Sequence, residues 1–183
     1  MADRGQWRRR VLPASSAPGA RSPERLLAVI RSADVVNHPR YAPLTELRAS
    51  GAVVVVKTWC KTFVWDVTSA MGVEVPHWVK DGESVNPTDA PGAHETRAND
   101  VPAWCDAHPE TWHACDHEEA RQRANAGHPV VAAWFNPAGI GHVAMGIPSE
   151  GRPRIAQAGI RNFESGGVEE GFGARPVRWW WAD

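Results

Sequence analysis

Residues 58–69 read TWCKTFVWDVTS, and the reading of this stretch decides the fold. Apolar residues recur at helical spacing after Trp59 (Phe63, Val64, Val67, Ala70 and Met71), and Gly72 follows as a stop. The spacing predicts a helix over 59–71 with Thr58 as its N-cap, which sets Cys60 in the first turn. A cysteine placed there meets unpaired backbone N–H groups and the positive end of the helix dipole, and both favour the thiolate. The residue alone leaves three roles open: a buried apolar side chain, a metal ligand or a nucleophile. Its surroundings must decide.

Upstream of the helix, the AVVVV run at 52–56 is strand-sized and reads either as a short strand or as a buried lead-in. Residues 34–50 read as a connecting loop with a short helix. Ser22-Pro23-Glu24 followed by RLLAVIRSA is a helix start, with Ser as cap and Pro at the first helical position. Residues 1–21, rich in Arg, Ala, Ser and Pro, bury little surface and are expected to form a flexible tail ahead of a single domain over 22–183.

Downstream, residues 72–98 are dense in Gly, Pro, Asn and Asp and read as a long irregular excursion. Asn99-Asp100-Val101-Pro102 opens a helix through about residue 107, and Asp116 caps another that Gly127 closes. The last third changes character. Residues 129–135, 142–148, 154–159 and 176–182 read as strands separated by Gly, Pro and Asn turns. Helices followed by an antiparallel run predict an α+β domain, with the Cys60 helix packed on an antiparallel sheet.

Composition narrows the function classes. A net charge of −1 over 183 residues gives no basic field for nucleic acid. No apolar run is long enough to cross a membrane, and residues 1–21 lack the apolar core of an export signal. The expectation is a chain made in the cytoplasm without a classical signal. Three cysteines are too few for a disulfide scaffold. Ten tryptophans against one tyrosine suit either a core or a groove wall. Trp59 and Trp65 flank the thiol in sequence, so each is read either as core or as the wall of a substrate groove.

A nucleophilic thiol needs a base. His142 follows a glycine-bearing turn and opens a strand, a position from which an imidazole faces a cleft at the sheet edge. If 142–147 and 154–159 form a hairpin, Gln157 shares the sheet face of His142 in either register of the same parity. Its carbonyl is then in reach of imidazole Nδ1–H, and Asn162 is the alternative orienting group. His77, His94 and His128 sit beside prolines or in loop-like contexts and are expected to be exposed. Gly166-Gly167 and Gly171-Phe172-Gly173 read as turn or loop glycines that open no helix, which argues against a phosphate loop. A competing constellation is CDAHPETWHACDH at 105–117, where Cys105, His108, His113, Cys115 and His117 come close in sequence, although their spacing matches no known zinc finger or ribbon.

TWCKTFVWDVTSAMG, the later GHVAM strand and a following strand with a polar third residue resemble the NlpC/P60 and CHAP group of papain-like cysteine amidases. The phrases PHWV, ANDVPAW and IAQAGIRNF resemble one branch with proposed members among phage lysins and interbacterial effectors, over about residues 40–175. The resemblance implies a papain-like core, Cys60 as nucleophile, His142 as base and Gln157 as third polar residue. It implies action on an amide bond in the peptide part of peptidoglycan, with neither metal nor organic cofactor. The expected partners are that substrate and an immunity or inhibitor protein, and the expected state is a monomer that reaches the cell wall by lysis or non-classical delivery. Lys61 departs from the Asn or Thr of many relatives; beside the thiol it favours thiolate and is expected, with Trp59 and Trp65, to meet substrate. Two readings of other classes stand beside this one: a non-catalytic wall-binding module with a tryptophan-lined groove, and a zinc-stabilised interaction protein.

Overall fold

The computed structural model describes residues 7–86 and 91–183. In chain order the elements are α1 (Pro23–Ala33), a 3-10 turn (Pro39–Tyr41), β1 (Leu44–Leu47), β2 (Val53–Lys57), α2 (Cys60–Ala70), β3 (Trp78–Lys80), β4 (Glu83–Ser84) and β5 (His94–Glu95). Then follow α3 (Asp100–Ala107), β6 (Trp112–Cys115), α4 (His117–Asn125), β7 (Val130–Trp134), β8 (His142–Ile147), β9 (Arg154–Ala158), β10 (Asn162–Gly167), α5 (Val168–Phe172) and β11 (Arg178–Ala182). The architecture is α+β. Its centre is a six-stranded sheet in the order β10-β9-β8-β7-β11-β6, with every neighbouring pair antiparallel.

The four strands expected from the sequence are β7, β8, β9 and β11. β7 and β8 are buried at nearly every residue because helices cover them: α2 packs on β8 and β9, and α4 packs on β8 and β11. Two helix caps hold as expected. Ser22 accepts from the Arg25 N–H and Asp116 from the Glu119 N–H, each pairing an N–H that the first turn leaves free. β8 and β9 pair Met145 with Ala156, Gly146 with Ile155 and Ile147 with Arg154. Continuing that register sets His142 opposite Gly159 and Gln157 opposite Ala144, so His142 and Gln157 lie on one face.

Several expectations need correction. Thr58 does not cap α2; Trp59 occupies the cap position and makes no side-chain capping bond. The excursion over 72–98 is not irregular throughout, since β3, β4 and β5 form a small antiparallel sheet; its residues 87–90 lie outside the described residues. The 52–56 run becomes β2, paired antiparallel with β1 as a two-stranded ribbon. Gly166 and Gly167 end a strand rather than a loop, and Gly167 opens α5 through a bond from its N–H to Glu170 Oε1.

The N-terminal segment differs most. Residues 1–6 lie outside the described residues, but residues 7–21 are a strap laid along α2 rather than a loose tail. The Arg10 N–H donates to Asp66 Oδ1 at 3.0 Å, the Ser16 N–H to Ala70 O at 3.0 Å, and Arg21 Nη1 to Met71 O at 2.6 Å. Leu12 joins the core. The strap therefore runs parallel to α2, with Trp7 beside Trp59 near the Cys60 end. Among the described residues, no helix is long and apolar enough to cross a membrane.

Candidate active site

The N-terminus of α2 faces the start of β8. Cys60 is the first residue of the helix and 5% exposed. The His142 imidazole, the Thr58 side chain and the Val143 backbone each act on its thiol in favour of the thiolate. Gln157, 3% exposed, holds the other side of the ring: His142 Nε2 lies 2.6 Å from Gln157 Oε1. The ring nitrogen facing glutamine is thus Nε2, not the Nδ1 expected from sequence, and Nδ1 is left for the thiol. Gln157 Nε2 donates to Arg161 O at 3.0 Å, which fixes the amide so that its oxygen points at the histidine.

Burial opposes charge on the Cys60 thiol, but the hydrogen bond and charge of His142, with help from Val143 and Thr58, outweigh it and leave the thiol below its ordinary range. The reciprocal shift holds for His142. Burial favours its neutral form, yet the Cys60 hydrogen bond and charge, together with Gln157, raise the imidazole above its usual value. Each group moves toward ionising the other, which is the electrostatic signature of a thiolate–imidazolium pair.

Three residues shape this pair without any catalytic signal in the sequence. A Cβ on Gly159 would come within 2.8 Å of Gln157 Nε2, and one on Gly171 within 2.6 Å of Gln157 Oε1. Both glycines leave room for the amide. Phe172, fully buried in α5, packs against the His142 ring with centroids 4.9 Å apart. The loop before His142 is stapled to α3. Asn99 Nδ2 donates to Asn136 O at 2.9 Å and Gly139 O at 2.7 Å, while its Oδ1 accepts from the Asn136 N–H at 2.9 Å. Asn162, the alternative orienting group, points elsewhere and donates to Val35 O and Tyr41 O, each at 2.9 Å.

The three expected substrate contacts are all buried. Trp59 is 6% exposed with its indole N–H on Ala42 O, and Trp65 is 3% exposed with its indole N–H on Glu74 Oε1. Neither walls an open groove; each is core with a satisfied polar handle. Lys61 is also buried, and its Nζ donates to Val75 O and Pro76 O. His77 is 2% exposed rather than on the surface, stacked on Trp65 at 4.7 Å, and burial holds it down at about 3. His94 is exposed as expected, and His128 is half-buried with Nδ1 3.1 Å from Ala182 O.

The cysteine–histidine run at 105–117 does not converge. Cys105 is buried in α3, His108 stacks on Trp104, and His113 lies against Trp181. Among the described residues, no three His, Cys, Asp or Glu side chains are grouped to hold a metal ion. Burial pushes the Cys105 thiol far up and the Cys115 thiol up to about 12. No family model matches the chain, and no curated protein matches it.

Proposed function

We propose that the chain is a cysteine-dependent amidase of papain-like core, acting on a peptide or amide bond of peptidoglycan. The observation that carries the reading is the continuous line Cys60–His142–Gln157, with the thiol lowered and the imidazole raised. The substrate class is supported by the resemblance of the cysteine and histidine contexts to NlpC/P60 and CHAP amidases.

The chemistry is acyl transfer in two steps. The Cys60 thiolate attacks the amide carbonyl carbon, forming a C–S bond as the carbonyl electron pair moves to oxygen. The Cys60 backbone N–H, which the first helical turn leaves unpaired, stabilises that oxyanion. The tetrahedral centre collapses, the C–N bond breaks, and the imidazolium gives its proton to the leaving amine. Neutral His142 then takes a proton from water, whose oxygen attacks the thioester and releases the acid and the thiolate. Gln157 holds Nε2 throughout, so that Nδ1 keeps facing sulfur. The protein reaches its substrate after lysis or through a secretion machine, and a protein inhibitor in the producing cell is the partner this activity calls for.

Mass spectrometry of purified peptidoglycan treated with the wild type tests the reading, with Cys60→Ala and His142→Ala as controls. New termini are expected with the wild type, falling by about a thousandfold or more in both variants. Muropeptide release that persists in Cys60→Ala overturns it.

A further inference from the structure

A second feature lies one residue beyond the nucleophile. Lys61 reaches away from the Cys60–His142 pair into a cavity of about 300 Å³ between α3 and the small sheet of β3, β4 and β5. Val75, Pro76, Val79 and Val101 make its apolar walls, and Trp104 stacked on His108 makes an aromatic one. Among the described residues, neither Cys60 nor His142 lines it.

Lys61 is the buried cation of this space, 6% exposed and in no ion pair among the described residues. Two backbone carbonyls, Val75 O and Pro76 O, accept from its Nζ, which has three N–H donors when protonated. Carbonyl dipoles only partly offset the desolvation of an ammonium, so an anionic partner is the missing element. The surroundings specify which anion. A single amino group with one remaining donor suits one carboxylate oxygen rather than a phosphate, which calls for an arginine fork or a row of N–H groups. The Asp100 carboxylate also lines the cavity, its Oδ2 held by the Arg97 N–H, and it repels a second negative charge. The remaining surface is aliphatic and aromatic.

We propose that this cavity is a binding site for a small monocarboxylate with an apolar body, its carboxylate paired with the Lys61 ammonium and its body against Val79, Val101 and Trp104. The site is independent of the amidase reading. The groups facing Lys61 are the carboxylates of Glu74 and Asp100, the thiols of Cys60 and Cys105, and neutral His77. Burial holds the lysine down at about 7 despite those carboxylates, so an entering carboxylate draws a proton onto it and binding weakens as pH rises.

Isothermal titration calorimetry of the full chain with 3-phenylpropionate, and with 3-phenylpropanamide as its uncharged counterpart, tests the site. The acid is expected to bind at about pH 6, at least about tenfold more tightly than the amide, and about tenfold more weakly at about pH 8.5. Ala103→Trp, on the exposed face of α3 at the cavity, and Lys61→Met are each expected to weaken the acid at least about tenfold. Cys60→Ala is expected to keep the preference for the acid over the amide, which separates this site from the amidase chemistry. Equal binding of acid and amide, no binding of the acid, or undiminished binding by Ala103→Trp overturns the proposal, whether or not Lys61→Met folds.

Discussion

Two of the buried ionisable residues on helix α2, Asp66 and Cys60, have surroundings that differ in one respect that separates structure from chemistry. Asp66, in the middle of the helix, is saturated. Arg40 Nε donates to its Oδ2 at 2.6 Å and Nη2 to its Oδ1 at 2.9 Å, Tyr41 OH donates to Oδ2 at 2.7 Å, and the Arg10 N–H completes the set. Burial still outweighs these partners and leaves the carboxyl above its ordinary range. Such a pair is not a net source of stability, but it is costly to break. Cys60, at the helix start, has a titratable partner instead of a permanent cation. Because His142 can give up its proton, the Cys60 pair can exchange one, as the proposed amidase chemistry requires, whereas the Asp66 cluster holds the strap and the 3-10 turn to α2.

The largest expected effect follows from breaking the saturated cluster. Arg40→Met strands the Asp66 carboxylate and should lower unfolding free energy by about 3–5 kcal/mol in chemical denaturation. Cys60→Ala should cost about 1 kcal/mol or less, since it leaves behind a histidine that can become neutral. The contrast fails if the two variants destabilise equally.

How far the sequence revealed this division depends on the kind of signal each part leaves. β7, β8, β9 and β11 were readable because continuous apolar runs between Gly, Pro and Asn turns leave few other places for those residues. The pairing of His142 with Gln157 was readable because the two-residue period keeps them on one face in either same-parity register. The strap was not, since Arg10, Ser16 and Arg21 bind α2 through backbone groups and a long flexible side chain, which produce no periodicity. Nor was the sheet of β3, β4 and β5, whose strands of two or three residues are too short for a pattern. The burial of His77 leaves no signal in the sequence because it arises from stacking on Trp65, a contact made only once the chain has folded. The glycine clearances at Gly159 and Gly171 are likewise tertiary facts.

A second prediction sharpens the contrast through the other cysteines. All three thiols are free; Cys60 and Cys105 are both buried, and Cys115 is half-buried. Among the described residues an imidazole lowers Cys60 alone of the three, while burial and nearby carboxylates push Cys105 and Cys115 up. Iodoacetamide at about pH 7 should therefore alkylate Cys60 about a hundredfold faster than either of the others in the folded chain, as peptide mapping would read. His142→Ala should erase most of that advantage. If Cys115 reacts as fast as Cys60, exposure rather than the histidine governs thiol reactivity here.

The smallest expected effect concerns Gln157, and it distinguishes a positioning residue from a merely well-packed one. The amide oxygen on Nε2 favours the charged imidazolium, so it contributes to raising His142. Activity that requires thiolate and imidazolium rises with pH as Cys60 ionises and falls as His142 loses its proton, and the two limbs belong to the coupled pair. Removing the amide lets His142 lose its proton at lower pH, which moves the alkaline limb downward and narrows the profile. Gln157→Ala should lower kcat/KM by about tenfold at its optimum and shift that limb to lower pH. A loss of packing alone lowers stability, but it does not displace a titration in a chosen direction. An alkaline limb that stays in place in Gln157→Ala would leave the glutamine a packing role, and His142 would owe its raised value to Cys60 alone.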